Sequence, residues 1–370
     1  MTTLVRGDSR AAVRLGIRRP ALLVPAALAL LAGLDAALML LGLPAPVEVD
    51  RLPDVHGMLM VLGFVGTLIA VERAVALRGS LGFTAPALLG LGAVVLVSPA
   101  PLKAGQILLA AGTAAMVGVY VPLWRRQRDE AVLVQGLGAV LALGAAVLWQ
   151  GGATIPTLAP WLVGFVVLTI AGERLELAKV VMGPSAGSTL VLLAAGVVAG
   201  VVAALLWPAP GTVLLGGALL VLTGWLATHD VARRTIRVSG LTRYMAGCML
   251  AAYGWLGVAG FVWLLGGPAV DGVRYDAVLH AVFLGFTLSM IMAHAPVILP
   301  AVLRRPLPYR PVLAAPAVLL HASLAVRLWP GDALGSHAAW LVGGVLNIVA
   351  VLSFAVVVVA LTMLGDRKSS

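Results

Sequence analysis

Twelve runs of predominantly apolar residues occupy the chain from position 20 to 364. Each is about 20 residues long, the length a bilayer-crossing helix needs, and short segments carrying most of the charge separate them. They predict transmembrane helices at 20–42, 56–77, 83–99, 104–123, 131–149, 159–180, 187–207, 211–229, 243–266, 275–299, 310–327 and 338–364. The two-residue alternation of a membrane strand is missing, which argues against a β-barrel. The expected fold class is therefore an all-α polytopic membrane bundle. No linker or soluble domain interrupts it. A basic arm at 1–19, the bundle at 20–364 and a tail at 365–370 form one integral membrane domain spanning 1–370. The arm precedes an apolar run, as in a signal peptide. That run continues from Ala21 without a clear small-residue cleavage site, so an uncleaved first helix is expected.

One phrase occurs twice. Gly63-Phe64-Val65-Gly66-Thr67-Leu68-Ile69-Ala70-Val71-Glu72-Arg73 returns 101 residues later, from Gly164 to Arg174, with seven of eleven positions identical. A weaker echo, Leu284-Gly285-Phe286 with Ile291, follows Leu62-Gly63-Phe64 and Ile69 at an offset of 222. The copies fall on helices 2, 6 and 10. A motif returning every fourth helix predicts three pseudo-repeated four-helix units in which those helices are equivalent.

Lys and Arg set the orientation. With the first segment cytoplasmic, 21 of the 25 basic residues lie inside; only Arg51, Lys103, Arg274 and Arg327 lie outside. This is the bias of cytoplasmic loops, and it places both termini in the cytoplasm of a multi-pass protein of the inner or plasma membrane. The composition, 61% hydrophobic and 11% charged, contrasts with about 25% charged in soluble domains. The net charge of +10 is spread over seven cytoplasmic segments, which suits anionic lipid rather than nucleic acid. Cys248 is the only cysteine, so no disulfide or thiolate cluster exists; a packing role is expected for it. Glu72-Arg73 and Glu173-Arg174 read as interfacial ionic anchors.

Ionisable groups inside a bilayer are costly and call for a functional account. Of six histidines, His56, His280, His321 and His337 gather toward the outer face, and His229 and His294 toward the inner one. His56 heads helix 2. His280 lies about 6–9 Å below the outer end of helix 10, and His321 about 9 Å down helix 11. His337 reads as a solvated loop residue, His229 as a cation at a helix C-terminus, and His294 as a group at the inner interface or at a Pro296 kink. His321 reads either as a ligand or as a satisfied buried histidine. Along a regular helix, Met60, Gly63 and Thr67 share the face of His56. Gly63 could then leave room for a flat macrocycle or simply let two helices touch.

The phrase His56-Gly57-Met58-Leu59-Met60 with Phe64 resembles helix 2 of subunit I of the haem–copper oxidases, twelve-helix proteins built as three four-helix arcs. The resemblance implies that His56 and His280 are axial ligands of a low-spin haem b. It also implies that Arg327 lies near the propionates; Arg51, at the same outer face, is expected beside it. The chain is similar to the NnrS family as well, whose members are linked to haem and to nitric-oxide stress. The stretch from His280-Ala281 through Gly285 to Met290, ending at Arg304-Arg305-Pro306-Leu307, carries that likeness. The departures are specific. Helix 6 aligns Thr157 with His56 and has no histidine, no His-His pair exists, and helix 10 lacks the His-x-His of the oxidases. An oxidase-type copper site would therefore have no ligands, and oxygen or nitric-oxide reduction is not expected.

The expectation is one haem b between helices 2 and 10, with His56 and His280 as metal ligands and His321 able to replace either. Ligation by two histidines favours electron transfer with a redox partner protein. Ligation by one leaves a position open to nitric oxide. A secondary transporter is the alternative. Its usual marks, two inverted halves, interrupted helices and intramembrane acids, are missing from the sequence.

Overall fold

The computed structural model describes residues 19–303, 305 and 307–366. Most of the basic arm and the last four residues, with Arg6, Arg10, Arg14, Arg18, Arg304, Arg367 and Lys368, lie outside these. Among the described residues twelve helices are long and apolar enough to cross a membrane, and no strand occurs. They are α1 (Leu23–Leu40), α2 (Arg51–Leu77), α3 (Ser80–Val97), α4 (Leu102–Gln127), α5 (Glu130–Gln150), α6 (Ile155–Met182), α7 (Ala186–Leu206), α8 (Pro208–His229), α9 (Leu241–Gly266), α10 (Gly272–Val302), α11 (Pro311–Ala333) and α12 (His337–Met363). Number and order match the apolar runs. The main differences lie at polar ends. α2 begins at Arg51 rather than His56, because Leu52-Pro53-Asp54 form a first turn that hydropathy does not register and that tolerates proline. His56 is thus in the second turn. α11 continues past Arg327 to Ala333 through π-helical turns holding Pro330.

The helices form three units with one packing scheme. α1 packs on α2 and α3, and α3 on α4; the pairs recur as α5–α6, α5–α7 and α7–α8, then as α9–α10, α9–α11 and α11–α12. The second helix of each unit lies innermost. In α2, α6 and α10, 72%, 72% and 61% of the central residues are buried, against 28–56% in the other nine. The repeated glycine explains this seating. A Cβ on Gly63 would meet Ala93 and Ala29 at 2.9 and 3.4 Å, one on Gly164 would meet Leu141 and Val201 at 2.6 and 3.1 Å, and one on Gly285 would meet Trp255 at 2.4 Å. Each glycine admits the first helix of its own unit, as small residues do between helices in lipid.

α2 and α10 share a further device. Leu59–Gly66 and Ala281–Leu288 are π-helical, at the same 222-residue offset as the sequence echo. Such turns are rare and recur at functional sites. Successive units join firmly at α4–α5 and α8–α9, whereas α12 and α1 touch only sparingly. The ring therefore has one loose seam. Arg51, Lys103, Arg274 and Arg327 stand at one end of the bundle, the Arg-poor face, and the described loop arginines at the other, the Arg-rich face.

Candidate functional site

A cavity of about 720 Å³ opens beneath the Arg-poor face, between α1, α2, α6, α10 and α12. His56, His280 and Arg327 all line it, with Gly57, Asp276 and Tyr275. Two imidazoles 224 positions apart in the chain thus face one space. Their hydrogen bonds define the tautomers. His56 Nδ1 donates to Gly33 O at 2.9 Å, and His280 Nδ1 donates to Asp276 O at 2.9 Å, with Asp276 Oδ1 at 3.2 Å. A carbonyl can only accept, so Nδ1 carries the proton in both rings, and in the neutral imidazole Nε2 keeps its lone pair. Neither Nε2 has a hydrogen-bond partner among the described residues. Metal-ligating histidines are commonly held this way, through the other nitrogen.

Asp276 also fixes Arg327, accepting from Nε at 2.8 Å and Nη2 at 2.6 Å. The guanidinium lies over Trp340, 5.3 Å from the ring centroid, and is 8% exposed. Its Nη1 has no protein acceptor among the described residues. His280, Asp276 and Arg327 thus form one chain of contacts at the mouth of the cavity. The sequence reading missed Asp276. Its place one helical turn before His280 was the available signal, since i and i+4 side chains meet on a helix.

Three other expected site residues lie elsewhere. Arg51 donates to Ser98 O and Ala100 O at 3.1 and 2.8 Å, closing the end of α3 outside the cavity. Gly63 faces α1 and α3 rather than the cavity. The π-helical turns that begin at Leu59 hold more residues per turn than an α-helix and rotate Gly63 off the face of His56. His321 has both nitrogens occupied, Nδ1 accepting from Trp255 Nε1 at 3.0 Å and Nε2 facing Ser289 Oγ at 3.1 Å. It is a satisfied buried histidine, with no free nitrogen for a metal. His229 stacks on Trp225 and His337 on Trp340, and neither histidine lines the cavity.

The Glu-Arg repeats are not interfacial anchors. Arg73 and Arg174 are 6% and 4% exposed and turn inward. Arg73 pairs with Glu72 and reaches Gln135 and Glu176 at 2.8 and 3.1 Å. Arg174 grips Asp230 through two contacts of 2.8 and 3.1 Å and donates to His294 Nε2 at 2.9 Å; Tyr253 donates to Asp230 at 2.7 Å. Each arginine ties its unit to the next. Apart from Arg73 Nε, which has no partner among the described residues, these contacts pair the guanidinium groups with acceptors, which is what makes a charge tolerable at this depth.

No group of three or more His, Cys, Asp or Glu side chains is placed to hold a bare metal ion among the described residues. The arrangement is instead two histidines with unengaged Nε2 atoms lining one largely apolar cavity. Fold and site thus define a twelve-helix membrane protein, three four-helix units around α2, α6 and α10, with a histidine-lined cavity toward one face. The chain belongs to the family described as Domain of unknown function (DUF8744), whose model matches residues 18–363. No curated protein and no solved structure matches it.

Proposed function

We propose that the cavity beneath the Arg-poor face binds one haem b and that the protein transfers single electrons within the membrane. The observation that carries this reading is the pair of imidazoles from α2 and α10, each held through Nδ1 and each presenting an unengaged Nε2 to the same space. A porphyrin supplies four nitrogens, so two protein ligands complete the iron. The cavity volume falls within the ~300–1,000 Å³ of sites that enclose a cofactor-sized ligand. Arg327 supplies a guanidinium with a free Nη1, suited to a propionate. Gly57 keeps the wall beside His56 flat.

When bound, a haem supplies a reversible one-electron couple. The chain's own residues do the rest. Gly33 O and Asp276 orient the two rings, the apolar walls exclude water, and Arg327 offsets negative charge at the mouth. With both imidazoles bound no position is open, which favours exchange of electrons with a redox partner over turnover of a small molecule. Release of one imidazole would open a position to nitric oxide, the basis of a sensing role in the manner of the NnrS resemblance.

The test is the reduced-minus-oxidised spectrum of protein purified from haem-replete cells. A b-type spectrum is expected, lost in His56→Ala and in His280→Ala, with no change on adding carbon monoxide. Full haem content in both variants would refute the assignment, and a carbon monoxide complex in the wild type would replace the two-histidine reading by the nitric-oxide one.

A further inference from the structure

A second cavity, of about 240 Å³, lies below the first toward the Arg-rich side. Its lining is almost wholly apolar, yet four polar side chains enter it. Thr287, 1% exposed, has a buried hydroxyl with no hydrogen-bond partner. It sits in the π-helical turns of α10. A buried hydroxyl is costly to leave unpaired, so its orphan state points to a missing oxygen or nitrogen. Glu72, Glu173 and His294 also line the space. Their offsets are the 101 and 222 residues of the repeats, so equivalent positions of the three units converge on one cavity.

These three groups are not in the same condition. Glu72 is paired with Arg73. His294 has both nitrogens engaged, by Arg174 and by Met290 O at 2.9 and 2.8 Å. Glu173 makes no hydrogen bond or ion pair among the described residues. It is the one carboxylate of the set free to take a proton from a ligand.

The cavity is walled by α1, α2, α6, α10 and α12 and includes the seam where α12 and α1 scarcely meet. Its volume is below the ~300–1,000 Å³ that encloses a whole drug-sized ligand. It suits a substituted ring whose hydrocarbon tail leaves through the seam into lipid. Phe64, Val65, Leu288 and Val351 line both cavities, so such a ring would lie one layer of side chains from the histidine site.

We propose that this cavity binds the ring of a membrane-soluble quinone, with the Thr287 hydroxyl on one ring oxygen and Glu173 as the proton acceptor. Its reduced form would be the electron donor to the site above; the donor role rests on the haem reading, whereas the binding does not. A hydroquinone loses two electrons and two protons on becoming a quinone. The two electrons would leave one at a time to the single haem of the proposed site, with a one-electron acceptor protein taking up the first before the second follows. Each hydroxyl proton passes to the Glu173 carboxylate and on to the Arg-rich side.

The experiment measures equilibrium binding of a short-chain benzoquinone and a short-chain naphthoquinone to the purified full-length protein by tryptophan quenching. Alongside it, the rate at which the reduced forms reduce bound haem is followed. Saturable binding of at least one is expected, weakened tenfold or more in Thr287→Val and Glu173→Gln and kept in Thr287→Ser, with haem content and melting temperature unchanged. Dithionite should reduce all variants alike, and hydroquinone should reduce the first two at least tenfold more slowly. Ile291→Trp, which fills the cavity from its wall, gives the same readout should Thr287→Val not fold. No saturable binding in the wild type, equal binding in the variants, or equal competition by a plain alkane would overturn the site. Quinone binding at Thr287 in a protein that holds no haem would keep the site and overturn the donor role.

Discussion

Replacing Asp276 by Asn tests the chain of contacts behind His280. The carboxylate accepts twice from Arg327, at 2.8 and 2.6 Å, and lies 3.2 Å from His280 Nδ1. Asn keeps the shape but offers one acceptor oxygen, so one Arg327 contact is lost and an amide NH₂ opposes the guanidinium. A hydrogen bond to a charged group is worth ~1.5–3 kcal/mol. Breaking a fully buried pair costs ~3–5 kcal/mol. With the Asp276 side chain 18% exposed, solvent screens part of this, and a loss of about 2–3 kcal/mol in fold stability is expected. At the proposed haem site the change keeps the Asp276 backbone acceptor of His280 Nδ1 and removes only the carboxylate charge 3.2 Å behind it, which should weaken haem binding by roughly 10-fold, or about 1.4 kcal/mol. Transfer of haem to excess apomyoglobin measures this directly, and detergent-phase melting measures the first term. An Asn variant that releases haem at the wild-type rate would refute the positioning role of Asp276, and unchanged melting would refute the account of the ion pair.

Asp230→Ala leaves the Arg174 guanidinium buried without its carboxylate and should cost ~3–5 kcal/mol in thermal or denaturant unfolding; a loss below about 1 kcal/mol would contradict the network drawn around it. His321→Leu should leave the haem spectrum intact while orphaning the Trp255 N–H, at about 1–3 kcal/mol of stability, and loss of haem in this variant would return His321 to the ligand set. Gly216→Ala should destabilise by about 1–3 kcal/mol, because the new Cβ would stand 2.4 Å from the backbone nitrogen of Leu264, whereas Gly254→Ala, with open space around it, should be neutral or stabilising by up to about 1 kcal/mol; melting curves of the pair that coincide would contradict the packing of α8 on α9.

The architecture was legible because bilayer thickness sets helix length directly and because repetition survives as identical residues at fixed offsets. The meeting of His56 and His280 was legible only through the likeness of the His56-Gly57-Met58-Leu59-Met60 phrase; no periodicity joins residues 224 apart. Facing was the harder part. Gly63 was placed beside His56 by assuming 3.6 residues per turn, and the π-helical segment, invisible to hydropathy, cancels that register. Arg51 and His321 were candidates by depth alone. Depth does not report that one side chain would be used by the end of α3 and the other by Trp255 and Ser289. Glu173, Thr287 and Asp276 gained meaning only from their neighbours, since a carboxylate or hydroxyl on an apolar helix looks the same whether or not a partner reaches it.

The loose joint between α12 and α1 bears on how the protein is made. The cavity that holds His56 is walled on one side by α1 and by Trp340, Gly344 and Asn347 of α12. During vectorial synthesis that wall does not exist until α12 leaves the ribosome, long after α1 and α2 have done so. That side of the cavity is therefore completed late in biogenesis, and a bound group can be enclosed on all sides only once α12 has come to rest beside α1.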